Sequence, residues 1–272
     1  MKRLLPSAAL VLALAGCAAS PGGADDSTEP GAVAPSGAAA IDLVGMWQVA
    51  GVDAATWLRI DETEFLLGAE CGVIAGSWRA AHGLLVLGNW GSFGEGCGTE
   101  PVGWLERVAG FDSRDDGTRV LTDAAGAEVA TLTPSEAPEP PADIDPSLVA
   151  VPQVTDAMRE ALAAPAPLAE DRTPGPGAPA RWVAADTAGA AFVEFADDGS
   201  WTGSDGCNGN GGRWVADDTG TLLATSGPST LMACDGAPVP TWMATATTAW
   251  LDGDDLVLLD RHGDELGRLT RA

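Results

Sequence analysis

The sequence predicts an α+β fold rich in β structure, built as two similar small domains, each a mostly antiparallel sheet or partial barrel with one helix. Three observations carry this. Short runs such as Thr56–Ile60 and Ala191–Phe195 combine aromatic and branched residues. Turn signals such as "ADDGS", "ADDTG", "LDGDD" and "DRHGDE" recur every eight to twelve residues. The chain also repeats itself. Residues 45–132 overlay 180–269 so that Trp47 falls on Trp182, Trp57 on Phe192, Phe65 on Trp201, Cys71 on Cys207, Trp78 on Trp214, Cys97 on Cys234 and Trp104 on Trp242. Large apolar residues and cysteines that keep order and spacing this way mark one unit written twice.

In chain order, residues 1–17 are expected to be an export signal: Lys2 and Arg3, an apolar run from Leu4 to Ala15, then Gly16-Cys17. The run is too short for a spanning helix. Leu14-Ala15-Gly16-Cys17 resembles the bacterial lipobox, in which the cysteine sulfur takes a diacylglyceryl group and becomes the mature N-terminus, so Cys17 is the expected lipidation site. A lipid-anchored (palmitate-type) lipoprotein on the extracytoplasmic face of the cell membrane follows, since more than one acyl chain makes a stable anchor. Residues 18–40 are small, polar and rich in Pro and Gly, a flexible tether spanning roughly 25 to 30 Å as a random coil.

Residues 41–133 form the first expected domain, 134–179 a Pro/Ala-rich linker, and 180–272 the second domain. Within the linker, "TDAMREALAA" reads either as a short helix with Thr155 as N-cap or as plain linker. Each domain is expected to hold one helix. In the second, Pro240 opens it and Trp242, Ala246, Ala249 and Trp250 follow at helical spacing; in the first, Trp104, Val108 and Phe111 repeat the pattern.

The formal net charge is −25. Removing Lys2 and Arg3 from the 14 basic residues leaves 12 against 39 carboxylates, a net of −27. That excess argues against nucleic acid and anionic lipid as partners. Of five cysteines, Cys17 goes to lipid and each domain keeps a pair, Cys71 with Cys97 and Cys207 with Cys234. In an oxidising compartment such pairs read as disulfides. Other readings of "SDGCNGNGGRW" lack support. There is no CxxC for zinc or redox chemistry, no GxGxxG and no Walker lysine, and both histidines, His82 and His262, sit beside glycine in predicted turns. No GxSxG occurs, so no enzyme is expected and no cofactor is assigned. The segment Asp112–Asp123 has Arg114 at a ligand position and no closing Glu, and reads as hairpin turns rather than a calcium loop.

The second domain is similar to the META domain family, which includes the heat-shock protein HslJ. The resemblance rests on Gly206-Cys207-Asn208, then Ser229-Thr230-Leu231-Met232-Ala233-Cys234, a helix and a closing hairpin. Its motif residues are Gly206, Asn208, Ser229, Thr230 and Met232. The first domain resembles it more weakly: Cys71, Gly76, Trp78 and Cys97 are kept, but Gly72 replaces Asn208 and "SFGEGC" replaces "STLMAC". The resemblance implies a small β-rich fold, a cell-envelope location and links to stress response, antibiotic tolerance or virulence, with no established catalysis.

The recurring tryptophans read as core rather than as a glycan-stacking face. Trp90 has no aromatic counterpart, and with Phe93 it lies in the glycine-rich "GNWGSFGEGCG", expected as a loop. This pair is either a partner-binding patch or a satellite cluster under the loop. The expected function is therefore a non-catalytic envelope lipoprotein that binds or stabilises an envelope protein or other component. The alternative is a ligand-binding or inhibitor module that sequesters a small molecule, peptide or protease. Oligomeric state is not readable.

Overall fold

A computed structural model describes residues 38–50, 56–69, 72–93, 103–139, 145–185, 191–230, 232–233 and 235–272. Residues Ala32–Ala272 group into one unit, and Met1–Gly31, which carry the expected signal and Cys17, lie outside the described residues.

The first lobe is an eight-stranded up-and-down barrel. Strands β1 (Gly45–Ala50), β2 (Trp57–Ile60), β3 (Glu64–Ala69), β4 (Gly72–Ala81), β5 (Leu84–Phe93), β6 (Gly110–Ser113), β7 (Arg119–Thr122) and β8 (Glu128–Pro134) each pair antiparallel with the next. β8 returns to β1 with Trp47 opposite Pro134 and Val49 opposite Leu132. Closure leaves no free sheet edge. Alternate residues point inward, so Leu58, Ile60, Phe65, Leu67, Leu85, Leu121 and Leu132 are all fully buried. A 3-10 turn at Ala40–Leu43 covers one end, and Leu43 O accepts a 2.8 Å hydrogen bond from Trp47 Nε1.

The second lobe is a nine-stranded open sheet. β9 (Thr173–Pro174) precedes β10 (Arg181–Ala184), β11 (Ala191–Phe195), β12 (Ser200–Asp205), β13 (Gly209–Ala216), β14 (Leu222–Ala224), β15 (Thr248–Asp252), β16 (Asp255–Leu259) and β17 (Glu265–Arg271). The order is β14-β13-β12-β11-β10-β17-β16-β15-β9, and an isolated bridge between Thr221 and Thr248 draws β14 toward β15. Helix α2 (Val239–Thr245) lies between β14 and β15 in sequence and buries Val239 and Met243 in the core. In the linker, α1 (Asp156–Ala161) does form, with Thr155 Oγ1 accepting from Met158 N at 3.2 Å.

From β1 and β10 onward the two lobes share one element order: five strands, a helical segment, three strands. They also share internal devices. Phe65 faces Gly76 across β3 and β4, and Trp201 faces Gly212 across β12 and β13. A Cβ on Gly76 would overlap the Phe65 ring, and one on Gly212 would overlap Thr225 O, so glycine leaves room for the neighbours of the large aromatic. Trp78 Nε1 donates to Asp61 O at 2.9 Å, and its counterpart Trp214 donates to Ala196 O at 3.4 Å.

Two expectations need correction. In the first lobe the helix expected around Trp104, Val108 and Phe111 is one 3-10 turn, Leu105–Arg107; Val108 ends it and Phe111 lies on β6. In the second lobe α2 holds Pro240 and Trp242, but Ala246 is already extended (φ −55°, ψ 139°), and Ala249 and Trp250 belong to β15. The β-branched run Thr245, Thr247, Thr248 favours strand there and overrides the apparent helical spacing.

The lobes meet through equivalent strands. β4 and β5 pack against β13 and β14, with Ala81, Val86 and Leu223 buried together beside Leu84 and Val215. Gly88 and Thr225, equivalent under the repeat, face each other so closely that a Cβ on Gly88 would overlap Thr225 Oγ1. Each lobe also sends an arginine to the carbonyls of the other lobe's helical segment. Arg79 of β4 donates to the carbonyls of Ala244, Thr245 and Ala246 at the end of α2, the last two at 3.2 and 3.0 Å. Arg213 of β13 donates to Glu106 O at 2.6 Å. The same patch on each half, used reciprocally, is the geometry of an isologous pair.

Candidate functional site

The residues of the Gly-Cys-Asn and Ser-Thr-Leu-Met-Ala-Cys stretches converge at the turn between β12 and β13. Asp205 ends β12, and its carboxylate collects the turn. Oδ1 accepts from Cys207 N at 2.8 Å and from Asn208 N at 2.6 Å, while Oδ2 accepts from Asn208 Nδ2 at 2.9 Å. This is the local carboxylate-to-backbone bonding that favours Asp at turns. Gly206 has φ +100°, a conformation that side chains rarely adopt, which explains glycine at that point of the motif. The Asn208 side-chain amide, then the Asn208 and Cys207 N–H groups, hold the Asp205 carboxyl below its ordinary value.

Asn208 is the hub. It is buried, and its amide bonds in every direction available to it. Oδ1 accepts from Thr230 Oγ1 and from Met232 N, each at 2.8 Å; Nδ2 donates to Met232 O at 2.8 Å as well as to Asp205. The amide therefore mimics one rung of a sheet ladder with Met232, pinning Thr230 and Met232 to the hairpin. Ser229 Oγ adds a bond to Gly209 O at 3.0 Å, and Asn210 Nδ2 reaches Gly227 O at 3.1 Å.

The result is a cleft of about 500 Å³ between this locked segment and α2, lined by Asn208, Asn210, Thr230, Met232, Pro240 and Thr241 among others. Met232 is 59% exposed at its edge. The motif's polar atoms face one another rather than a reacting centre. Asn208, Thr230 and Met232 were legible as motif residues; Asp205 and Asn210 were not singled out, although an Asp three residues before the Asn is the sequence sign of such a turn.

Cys207 is disulfide-bonded. Cys71, Cys97 and Cys234 lie outside the described residues, as does Cys17. Trp90 is on β5 rather than on a loop. Gly76 pairs with Asn89 and Ala75 with Gly91, so Trp90 is the extra residue of a β-bulge and is 37% exposed. A bulge re-aims a side chain, which gives this tryptophan its outward placement. Phe93 ends the same strand opposite Val73; its side chain lies outside the described residues, as do residues 94–102.

The acidic turns work on themselves. Asp116 Oδ1 accepts from Thr118 N and Oγ1 at 2.9 and 2.7 Å, and Asp123 Oδ1 accepts from Ala125 N and Ala127 N, both at 2.9 Å. These carboxylates are hairpin-forming groups, as the sequence pattern of that segment suggests.

Neither the curated proteins nor the solved structures contain a match to this chain. Residues 177–272, the span of the second lobe from just before β10 to the C-terminus, match the META domain family, and that lobe carries a META domain.

Proposed function

We propose that the protein is a non-catalytic lipoprotein, anchored through Cys17 on the extracytoplasmic face of the cell membrane, whose two lobes present binding surfaces to an envelope component in stress or antibiotic tolerance. In this reading the first lobe is a divergent META-like copy, clipped by Cys71–Cys97, and the second lobe is clipped by Cys207–Cys234. The Trp90 and Phe93 region is the candidate contact surface.

One observation carries the non-catalytic reading. The side chains of the family motif are spent on the fold: Asn208 bonds to Asp205, Thr230 and Met232 through both atoms of its amide. Asp205, held ionised by its bonds, is a poor proton donor near neutral pH. A motif used this way shapes a surface rather than a reaction centre. The exposed bulge tryptophan of the other lobe supplies an aromatic anchor of the kind enriched at binding hot spots.

The test is affinity capture from the native envelope with residues 18–272 as bait, beside the Trp90→Ala, Phe93→Ala double variant. A component retained by the native bait and lost by the folded variant is the expected result. Identical capture by both baits would remove the Trp90 surface from the proposal. Cys17→Ala, in parallel, is expected to move the full chain from the membrane fraction to the soluble fraction.

A further inference from the structure

A second cleft, of about 570 Å³, opens where the lobes meet, at a distance in sequence from both the Gly-Cys-Asn motif and Trp90. Its walls come from β4, the linker after α1, the β14 region and the end of α2. Two groups in it are unaccounted for by the fold. The Thr247 hydroxyl is buried and has no hydrogen-bond partner among the described residues, although the Thr247 backbone is engaged through Leu259 O and Leu222 N. A buried hydroxyl left unpaired costs free energy that a ligand or water recovers.

The other is Arg79. Its guanidinium is largely withdrawn from solvent, and no carboxylate among the described residues pairs with it. Burial alone pulls its pKa down to about 10. The three carbonyls at the end of α2 take three of its five N–H bonds and return only part of a negative charge. The remaining donors have no acceptor among the described residues.

The geometry points to a binding site in this cleft for a small organic carboxylate, with the carboxylate received by the Arg79 guanidinium and the Thr247 hydroxyl and its apolar body lying against Trp78, Ala81 and Leu223. With both Nη2 hydrogens engaged, Nε–H and the second Nη1–H of Arg79 remain as charge-assisted donors to a carboxylate. The volume falls in the range of small-molecule sites, and the lining mixes an apolar patch of Trp78, Ala81 and Leu223 with polar and charged groups. At the rim, Glu62 and Asp260 offset Arg261, with His262 beside them. Asp260 Oδ1 is occupied by His262 N and Asp264 N, and Arg261 Nη2 by Glu160 O. Two carboxylates against one guanidinium leave the rim at a net −1, so attraction for an anion falls to Arg79 alone. This site does not depend on the lipid anchor or on the Trp90 surface.

Calorimetric titration of the full chain tests it with benzoate as probe, benzamide as its neutral isostere and inorganic phosphate as a bare oxyanion. Saturable benzoate binding, at least tenfold tighter than benzamide and than phosphate, is expected. Thr247→Val is nearly isosteric and removes an unsatisfied hydroxyl, so it should fold at least as stably as the native chain and bind benzoate about tenfold more weakly. Arg79→Lys keeps the charge, loses the remaining Nε and Nη1 donors, and should weaken benzoate by a similar factor. The proposal fails if benzoate does not bind, if benzamide or phosphate binds equally well, or if the folded Thr247→Val variant binds benzoate as the native chain does.

Discussion

Replacing Asn208 with alanine should unlock one specific segment of the second lobe. The substitution removes the acceptor for Thr230 Oγ1 and Met232 N and the donor to Met232 O and Asp205 Oδ2. At about 1 kcal/mol net for each bond, the loss is about 4 kcal/mol, a large share of the stability of a domain this size. The Met232 N–H and C=O are left without these partners, so the cost falls on Thr230 and Met232 before it falls on the sheet. Hydrogen exchange resolved by residue, beside urea unfolding, is the assay. Met232 N–H should exchange far faster in Asn208→Ala, while the core strands β11 and β12 change only by the global loss. Repeating the measurement under reducing conditions separates the amide's contribution from that of the disulfide at Cys207. Unchanged protection at Met232 with a stability loss below about 0.5 kcal/mol would refute the hub role of Asn208.

Gly76→Ala and Gly212→Ala, at matching positions of the two lobes, should each cost about 1–3 kcal/mol by overpacking, measured by thermal unfolding. Comparable losses are expected because in each the added Cβ would overlap a backbone carbonyl, Gly88 O or Thr225 O. Asp205 has a folded-state pKa depressed below its unfolded value, so its contribution is fully present above the ordinary carboxylate range and is lost as pH falls through the folded value. Exchange protection of Asn208 N–H should therefore collapse on acidification, and in Asp205→Asn it should be weaker and independent of pH there. Arg79→Met should loosen the contact between lobes, raising protease cleavage in the linker at residues 161–165 while leaving each sheet's exchange pattern in place.

Much of the fold was legible because the repeat doubles every signal. Trp47 and Trp182 are buried at matched positions, while Trp214 and Trp242, the counterparts of the buried Trp78 and Trp104, are half-buried against the core of their lobe. Barrel closure was not legible: whether β8 reaches β1 depends on summed strand twist and stagger, which no local pattern encodes. The helical spacing of Trp242, Ala246, Ala249 and Trp250 misled because a strand that follows a helix at once can keep apolar residues at the same intervals. Trp90 stood out as unmatched, but a bulge is a mismatch between two strands and cannot be seen in one. At the motif, Asn208 was visible through family resemblance, whereas the pairing of Arg79 with the end of α2 joins residues 165 or more apart and leaves no trace in either neighbourhood.

The reciprocal contact between β4/β5 and β13/β14 has a consequence for how such a chain can diverge. Two separate identical subunits meeting this way would form two identical clefts, and any substitution would appear in both. Joining them in one polypeptide makes docking intramolecular, so a modest patch suffices to hold the halves together. It also frees each half to vary alone. Gly72 stands where the other half keeps Asn208, and Thr247 lies against a cleft whose counterpart is under no obligation to match it. A single chain of two halves can thus hold the Asn208 lock in one half while the other half does without it.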